Sequence, residues 1–180
     1  MIKEFKRVDR KVVDTNRIFQ YCKDTVELPN GNKEEYITCL HKGAAAVVPV
    51  LPDNKILMVR QYREAIDRVT LEIPAGGRNS TDELFYDTAK RELEEEAGYT
   101  TDDELIHLIT IETAIAYCDE KIEVYVARNL RPTSQHLDPD EFIEVEAFEI
   151  NDLVDMIYAG DIRDSKTIAS IMSYYGKYCV

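Results

Sequence analysis

The chain has 180 residues, 44% of them hydrophobic and 32% charged, a balance that supports one catalytic-sized globular domain. Its 35 acidic against 22 basic residues leave a formal net charge of -13, which argues against a general nucleic-acid binder and against an anionic membrane surface. No apolar run approaches the roughly 18 residues of a membrane helix, no secretory signal opens the chain, and Cys22, Cys39, Cys118 and Cys179 form no C-x-x-C pair, so free thiols in a reducing cytoplasm are expected.

The first 42 residues read as short strands centred on Val12-Val13, Ile18-Phe19, Thr25–Leu28 and Tyr36–Leu40. Pro29-Asn30-Gly31-Asn32 supplies the turn of a hairpin between the last two. A boundary near residue 42 separates this β segment (1–42) from the main domain (43–180). Ala44–Val50 reads as a buried strand with Pro49 needing an edge or a strand end, and Lys55–Arg60 as the strand returning from an Asp53-Asn54 turn. Leu71-Glu72-Ile73 is a short strand entering Pro74-Ala75-Gly76-Gly77, a loop by composition. Ser80 and Glu83 stand at capping-box spacing before a helix reaching Ala97, with Phe85, Ala89 and Leu93 on one face and Gly98 past its end. Residues 105–111, 121–127 and Ile143–Phe148 follow as strands. Asn151 is placed to cap a helix closed by Gly160. Asp164 or Ser165 caps the last helix, which carries Ile168, Ile171, Met172 and Tyr175. This order predicts a mixed α/β fold, a mixed sheet flanked by helices.

The acid is concentrated. Residues 1–42 hold nine basic and seven acidic side chains, whereas 43–180 hold 13 and 28. Asp82–Glu104 carries ten acids against Lys90 and Arg91, and Asp138–Asp164 carries ten against Arg163. Glu92, Glu95 and Glu96, at i, i+3 and i+4, share one helix face and repel by several tenths of a kcal/mol per pair. A hard divalent cation such as Mg²⁺ would relieve that repulsion. A solvated acidic face is the alternative for E-x-x-E-E alone, but the glycine loop ahead of the helix and Arg91 beside the acids favour a site.

Gly77, Glu83 and Arg91-Glu92-Leu93-Glu94-Glu95-Glu96-Ala97-Gly98-Tyr99 stand at spacings that resemble the Nudix box, G-x5-E-x7-R-E-U-x-E-E-x-G-U. Every fixed position matches, and Tyr99 replaces the usual last aliphatic residue. Val59–Glu64, Leu71–Gly77, Asp140–Val145 and Gly160–Thr167 extend the likeness to the ADP-ribose pyrophosphatase branch, from about residue 12 to the C-terminus. The resemblance implies a Nudix fold, an α/β/α sandwich, and Mg²⁺-dependent hydrolysis of a nucleoside diphosphate-sugar, with Mn²⁺ as an alternative ion. It implies Glu92, Glu95, Glu96 and the Ala75 carbonyl as metal ligands, and Arg91 as the residue that orients the glutamates. Glu141 is implied as general base, with Asp138 and Asp140 as neighbours able to take the role. Arg63 and Arg60 are the candidates to pair with phosphate, and Glu64 is a further substrate contact. An aromatic of the N-terminal segment such as Phe19 or Tyr21 is a candidate to stack on a base, with core packing the favoured reading for both. The branch also implies a homodimer joined through residues 1–42.

One stretch departs from the pattern. In Thr113–Glu120, Ile115 stands where proline is usual and Ala116 where glycine is usual, while Asp119-Glu120 are kept. ADP-ribose therefore leads as substrate, with GDP-mannose or another sugar nucleotide close behind. A triphosphate- or cap-cleaving hydrolase and a non-catalytic nucleotide sensor are further alternatives on the same box. His41, His107, His136, Tyr117 and Cys118 have no spacing that supports a metal or nucleophile site.

Overall fold

A computed structural model describes residues 3–180. Met1 and Ile2, where the chain was read as opening without a signal, lie outside the described residues. The structure divides into two compact units. The first comprises the chain up to Lys42 together with Glu112–Lys121, and the second Gly43–Ile111 with Ile122–Val180. The β segment drawn at 1–42 thus acquires a second stretch of chain.

The first unit is an antiparallel sheet in the order β1 (Lys6–Thr15), β2 (Phe19–Glu27), β3 (Lys33–His41). Gly31 adopts a φ of +87° in the β2–β3 turn, and Leu28 donates its N–H to the Asn32 carbonyl at 2.8 Å. A residue with a Cβ is strained at that φ, so glycine belongs there. The 112–121 segment lies along β3 in one parallel bridge, Cys39 against Cys118. Within it, Thr113 Oγ1 donates to Glu120 at 2.7 Å, and Ile115 is 79% exposed.

The second unit is built on β4 (Ala44–Pro49), buried throughout and paired in parallel with β10 (Lys121–Ala127). Parallel strands covered on both sides read as continuous apolar runs, and Ala-Ala-Ala-Val-Val-Pro is one. The side chains then divide with period two. Ala44, Ala46 and Val48, with Ile122, Val124 and Val126, face a core completed by Leu153, Ile162 and Ile171. Ala45, Val47, Tyr125 and Ala127 face the opposite core, completed by Ala89, Leu93 and Ala97. One sheet therefore carries helix α1 (Phe85–Glu95) on one side, and α2 (Ile150–Ala159) and α3 (Ser165–Tyr178) on the other. Pro49 is the last residue of β4, where its missing N–H leaves no ladder bond unmade.

Several local expectations change. β5 (Ile56–Arg63) does not return along β4 beyond one Val50–Ile56 bridge; it lies between β6 (Arg68–Glu72) and β12 (Ile143–Phe148) in a separate sheet. Ala75–Gly77 is not a loop but the short strand β7, paired antiparallel to Ala44–Ala46. Its glycines cost little there because the strand is only three residues long. The sheet of β4 is completed by β9 (Ile106–Glu112), and β8 (Tyr99–Thr100) pairs with β11 (Arg131–Pro132). The Ser80–Glu83 box closes a turn before the helix: Ser80 Oγ accepts from Glu83 N at 3.3 Å, while Leu84, whose side chain caps nothing, is the N-cap of α1. Glu149, not Asn151, precedes α2, and Gly160 ends it at a φ of +82°. Asp164 caps α3 by accepting from Thr167 N at 3.0 Å. No described helix is long and apolar enough to cross a membrane.

Candidate active site

The carboxylate cluster arises where β7 meets α1. Ala89 and Leu93 turn into the core, so the helical period of 3.6 sends Glu92, Glu95 and Glu96 toward β7 and the solvent edge. Glu92 and Glu96 are buried, 6% and 3% exposed. Glu96 Oε2 accepts the Ala75 N–H at 2.8 Å. The Glu92 carboxylate fills the space beside Gly76 that any side chain there would take: a Cβ on Gly76 would sit 2.1 Å from Glu92 Oε1.

Arg91 ties the cluster together. Its Nη1 donates to Glu92 at 2.6 Å and to Glu95 at 2.7 Å, its Nη2 to the Gly77 carbonyl at 2.9 Å, and its Nε to Glu83 at 3.2 Å. Glu83 also accepts from the Asn79 N–H. The planar fork of arginine serves four partners that a lysine point charge could not span. The spacing of Gly77, Glu83, Arg91, Glu92 and Glu95 along the chain is thus the spacing of one guanidinium's contacts.

The electrostatics are strained without a further cation. Burial pushes the Glu96 carboxyl up to about 8, and the charges of Glu92 and Glu141 push the same way against the Ala75 N–H. Burial likewise pushes Glu92 up to about 7, with Glu95 and Glu141 adding to it and Arg91 opposing. Among the described residues no three acidic, histidine or cysteine side chains converge as a bound metal requires; Arg91 and the Ala75 N–H each hold one oxygen of a carboxylate in the cluster. The donor set itself, clustered carboxylates in a buried setting, suits a hard divalent cation, which would return both groups to the ionised form.

The other sequence candidates separate into distinct places. Arg63 meets Glu72 as a bidentate pair, Nε to Oε1 at 2.8 Å and Nη2 to Oε2 at 2.7 Å, and its charge reaches Glu96. Arg60, three residues earlier on β5, donates to Glu146 at 3.0 Å and lies over the Phe148 ring. An odd offset on a strand reverses the face, so the two arginines do not converge. Arg60 and Glu141 instead share a cleft of about 490 Å³ with Tyr62, Val69, Leu137 and Phe142. Glu141 accepts the Asp138 N–H at 3.1 Å. Glu64 is exposed at the start of a single 3₁₀ turn, Glu64–Ile66. Phe19 and Tyr21 lie on β2, both half-buried.

Three residues next to the site carry no assigned role in the sequence reading: Gly76, Glu72 and Lys166. Glu72 is 2% exposed and receives both Arg63 and Lys166. An acid between Leu71 and Ile73 in a strand was its available signal, but Lys166 lies 94 residues away, beyond any local pattern.

Residues 40–171 match the NUDIX domain family. The chain is 34% identical over 170 residues to an ADP-ribose pyrophosphatase of Bacillus subtilis, covering 93% of this chain and 91% of that protein. It is 35% identical over 170 residues to a methanol dehydrogenase activator of Bacillus methanolicus, with the same coverage of 93% and 91%. A crystal structure of an ADP compounds hydrolase superposes with a TM-score of 0.84 over 100% of this chain and 99% of its own, at 22% identity, a likeness of fold. With the box residues gathered around one arginine and the family match spanning most of its length, the chain belongs to the Nudix family.

Proposed function

We propose that the protein is a Nudix pyrophosphatase that hydrolyses ADP-ribose to AMP and ribose 5-phosphate, using Mg²⁺, with Mn²⁺ as a substitute. Nudix hydrolases use divalent metal ions, and two relatives at 30% identity or more are named ADP-ribose pyrophosphatases. The observation that carries the reading is the buried, mutually repelling pair Glu92 and Glu96 beside Glu95, held by Arg91 against a glycine strand. No packing purpose requires such a pair, whereas a cation site does.

Glu92, Glu95, Glu96 and the Ala75 carbonyl are the groups that would hold the ion. When bound, it supplies neutralisation of the pyrophosphate charge and acidification of water. Arg91 keeps the three carboxylates in one orientation, which removes their rotamer freedom before substrate arrives. Arg63 offers phosphate a guanidinium already locked on its other edge by Glu72. Glu141, whose charge is felt by both Glu92 and Glu96, accepts the proton of the attacking water. Arg60 and the aromatic edge of Tyr62 and Phe142 in the cleft beside Glu141 contact the remainder of the substrate.

In the first unit, Val12 and Val13 on β1, Phe5 just before it and Ile18 in the β1–β2 turn are each between 47% and 56% open to solvent. These exposed apolar side chains support assigning residues 1–42 to homodimer formation. The cytoplasm is the compartment that fits the free cysteines and the substrate.

Purified protein assayed with ADP-ribose, GDP-mannose and other sugar nucleotides, with Mg²⁺ or Mn²⁺, tests the reading. AMP release from ADP-ribose at the highest kcat/KM is expected. No product from any of them would refute the enzyme.

A further inference from the structure

Glu72 is an expensive group to bury. It sits on β6 with 2% exposure, accepts Thr70 Oγ1 at 2.6 Å, and carries Arg63 and Lys166 on its two oxygens. Lys166 is held in turn by Asp164 at 2.9 Å. Asp164 caps α3 and also accepts from Thr167 Oγ1 at 2.6 Å, while Thr167 Oγ1 accepts the Ile73 N–H at 3.1 Å. Buried ion pairs are often no more stabilising than well-packed apolar residues of the same volume. Stability alone therefore does not single out this arrangement over an apolar one, whereas its geometry does. The carboxylate takes the Nε and Nη2 edge of Arg63 and leaves Nη1 with no acceptor among the described residues. Charge is consistent with this: Asp164 balances Lys166, Glu72 balances Arg63, and the charge of Arg63 is still felt at Glu96.

We propose that Glu72 is a positioning residue, anchored to α3 through Lys166, that locks Arg63 so that its remaining amino group meets a phosphate oxygen of the substrate. The proposal rests on the pyrophosphatase reading. A side chain locked beforehand loses less entropy when the phosphate arrives, so the clamp acts on binding, through Arg63 and not independently of it.

The test is a double-mutant cycle on the intact protein, reading KM and kcat separately for ADP-ribose with Mg²⁺. Arg63→Ala and Glu72→Gln should each raise KM about tenfold or more, the scale of one charge-assisted contact, with a smaller change in kcat. The double variant should be no worse than Arg63→Ala alone. A Glu72→Gln enzyme within twofold of wild type, or losses that multiply in the double variant, would overturn the clamp. If Glu72→Gln does not fold, Glu72→Gln/Lys166→Met removes the stranded ammonium with it and should show the same rise in KM; an unchanged KM there overturns the proposal. If wild type turns over no sugar nucleotide, the pyrophosphatase reading fails and the clamp is judged by calorimetry with inorganic pyrophosphate. Equal weakening in Arg63→Ala and Glu72→Gln supports it, and unaltered binding by Glu72→Gln refutes it.

Discussion

Gly76 and Glu92 occupy complementary volumes: the carboxylate of one rests where the side chain of the other would be, 2.1 Å from an ideal Cβ. The contact explains a residue of the β7 strand that local conformation does not. Gly76 has no positive φ to require glycine; the requirement comes from the helix across from it. Gly76→Ala should therefore push Glu92 off Arg91 without unfolding the strand. A displacement near 1 Å at a reacting site costs about 10²-fold, so kcat should fall by about that factor while circular dichroism stays as in wild type. Kinetics on the purified variant, beside Gly77→Ala as the neighbour with nothing within 4 Å, checks it.

Arg91→Lys tests the fork. The lysine keeps the charge but cannot reach Gly77, Glu83, Glu92 and Glu95 together. Groups that orient metal ligands typically contribute 10–100-fold, so kcat should drop by about that range. The apparent Mg²⁺ requirement, read from activity against metal concentration, should shift upward with it.

Metal removal should have a pH signature. Glu92 and Glu96 are raised to about 7 and about 8 by burial, so the metal-free native state holds protons that the unfolded chain has already released. Such a contribution is present at low pH and disappears as pH rises through the folded values. In EDTA, the melting temperature should fall between pH 6 and 8.5. Mg²⁺ should raise it more at pH 8 than at pH 6, because a carboxylate must lose its proton to ligate. Scanning fluorimetry across that range, with and without Mg²⁺, reads both effects.

Glu72 gives the opposite sign. Burial alone would raise its pKa, but Arg63 and Lys166 outweigh that and hold it at about 2. Its stabilising contribution is complete above the ordinary carboxylate value and is lost as pH falls toward 2. Glu72→Gln should cost about 3 kcal/mol at neutral pH. Urea unfolding of the two proteins at pH 7, 5 and 3.5 should show the gap narrowing at the lowest value.

Val12→Asp addresses assembly. Val12 is 48% exposed on β1, and a charge there is incompatible with burial against a second copy. Light scattering should find a dimer for wild type and a monomer for the variant.

The site was unusually legible because its parts are local in the chain. Glu92, Glu95 and Glu96 are one helix turn apart, and Arg91 reaches Gly77 and Glu83 within 14 residues. Periodicity places such groups without knowledge of the fold. Strands were legible for the same reason: β12 was expected at Ile143–Phe148 and forms there. Pairing was not. Lys55–Arg60 was expected to return along its neighbour, yet β5 joins β12 and β6, since partner choice is made by long-range burial and not by the turn between two strands. Gly76-Gly77 looked like loop because glycine disfavours strands, yet it pairs with β4, and Glu92 fills the space a side chain on Gly76 would take. By itself, then, the sequence determined the box, its helix and the acidic chemistry. Only the tertiary structure decided that β5 pairs with β6 and β12 and that Glu72 meets Lys166. Both outcomes depend on strands and helices far apart in the chain coming together around a common core.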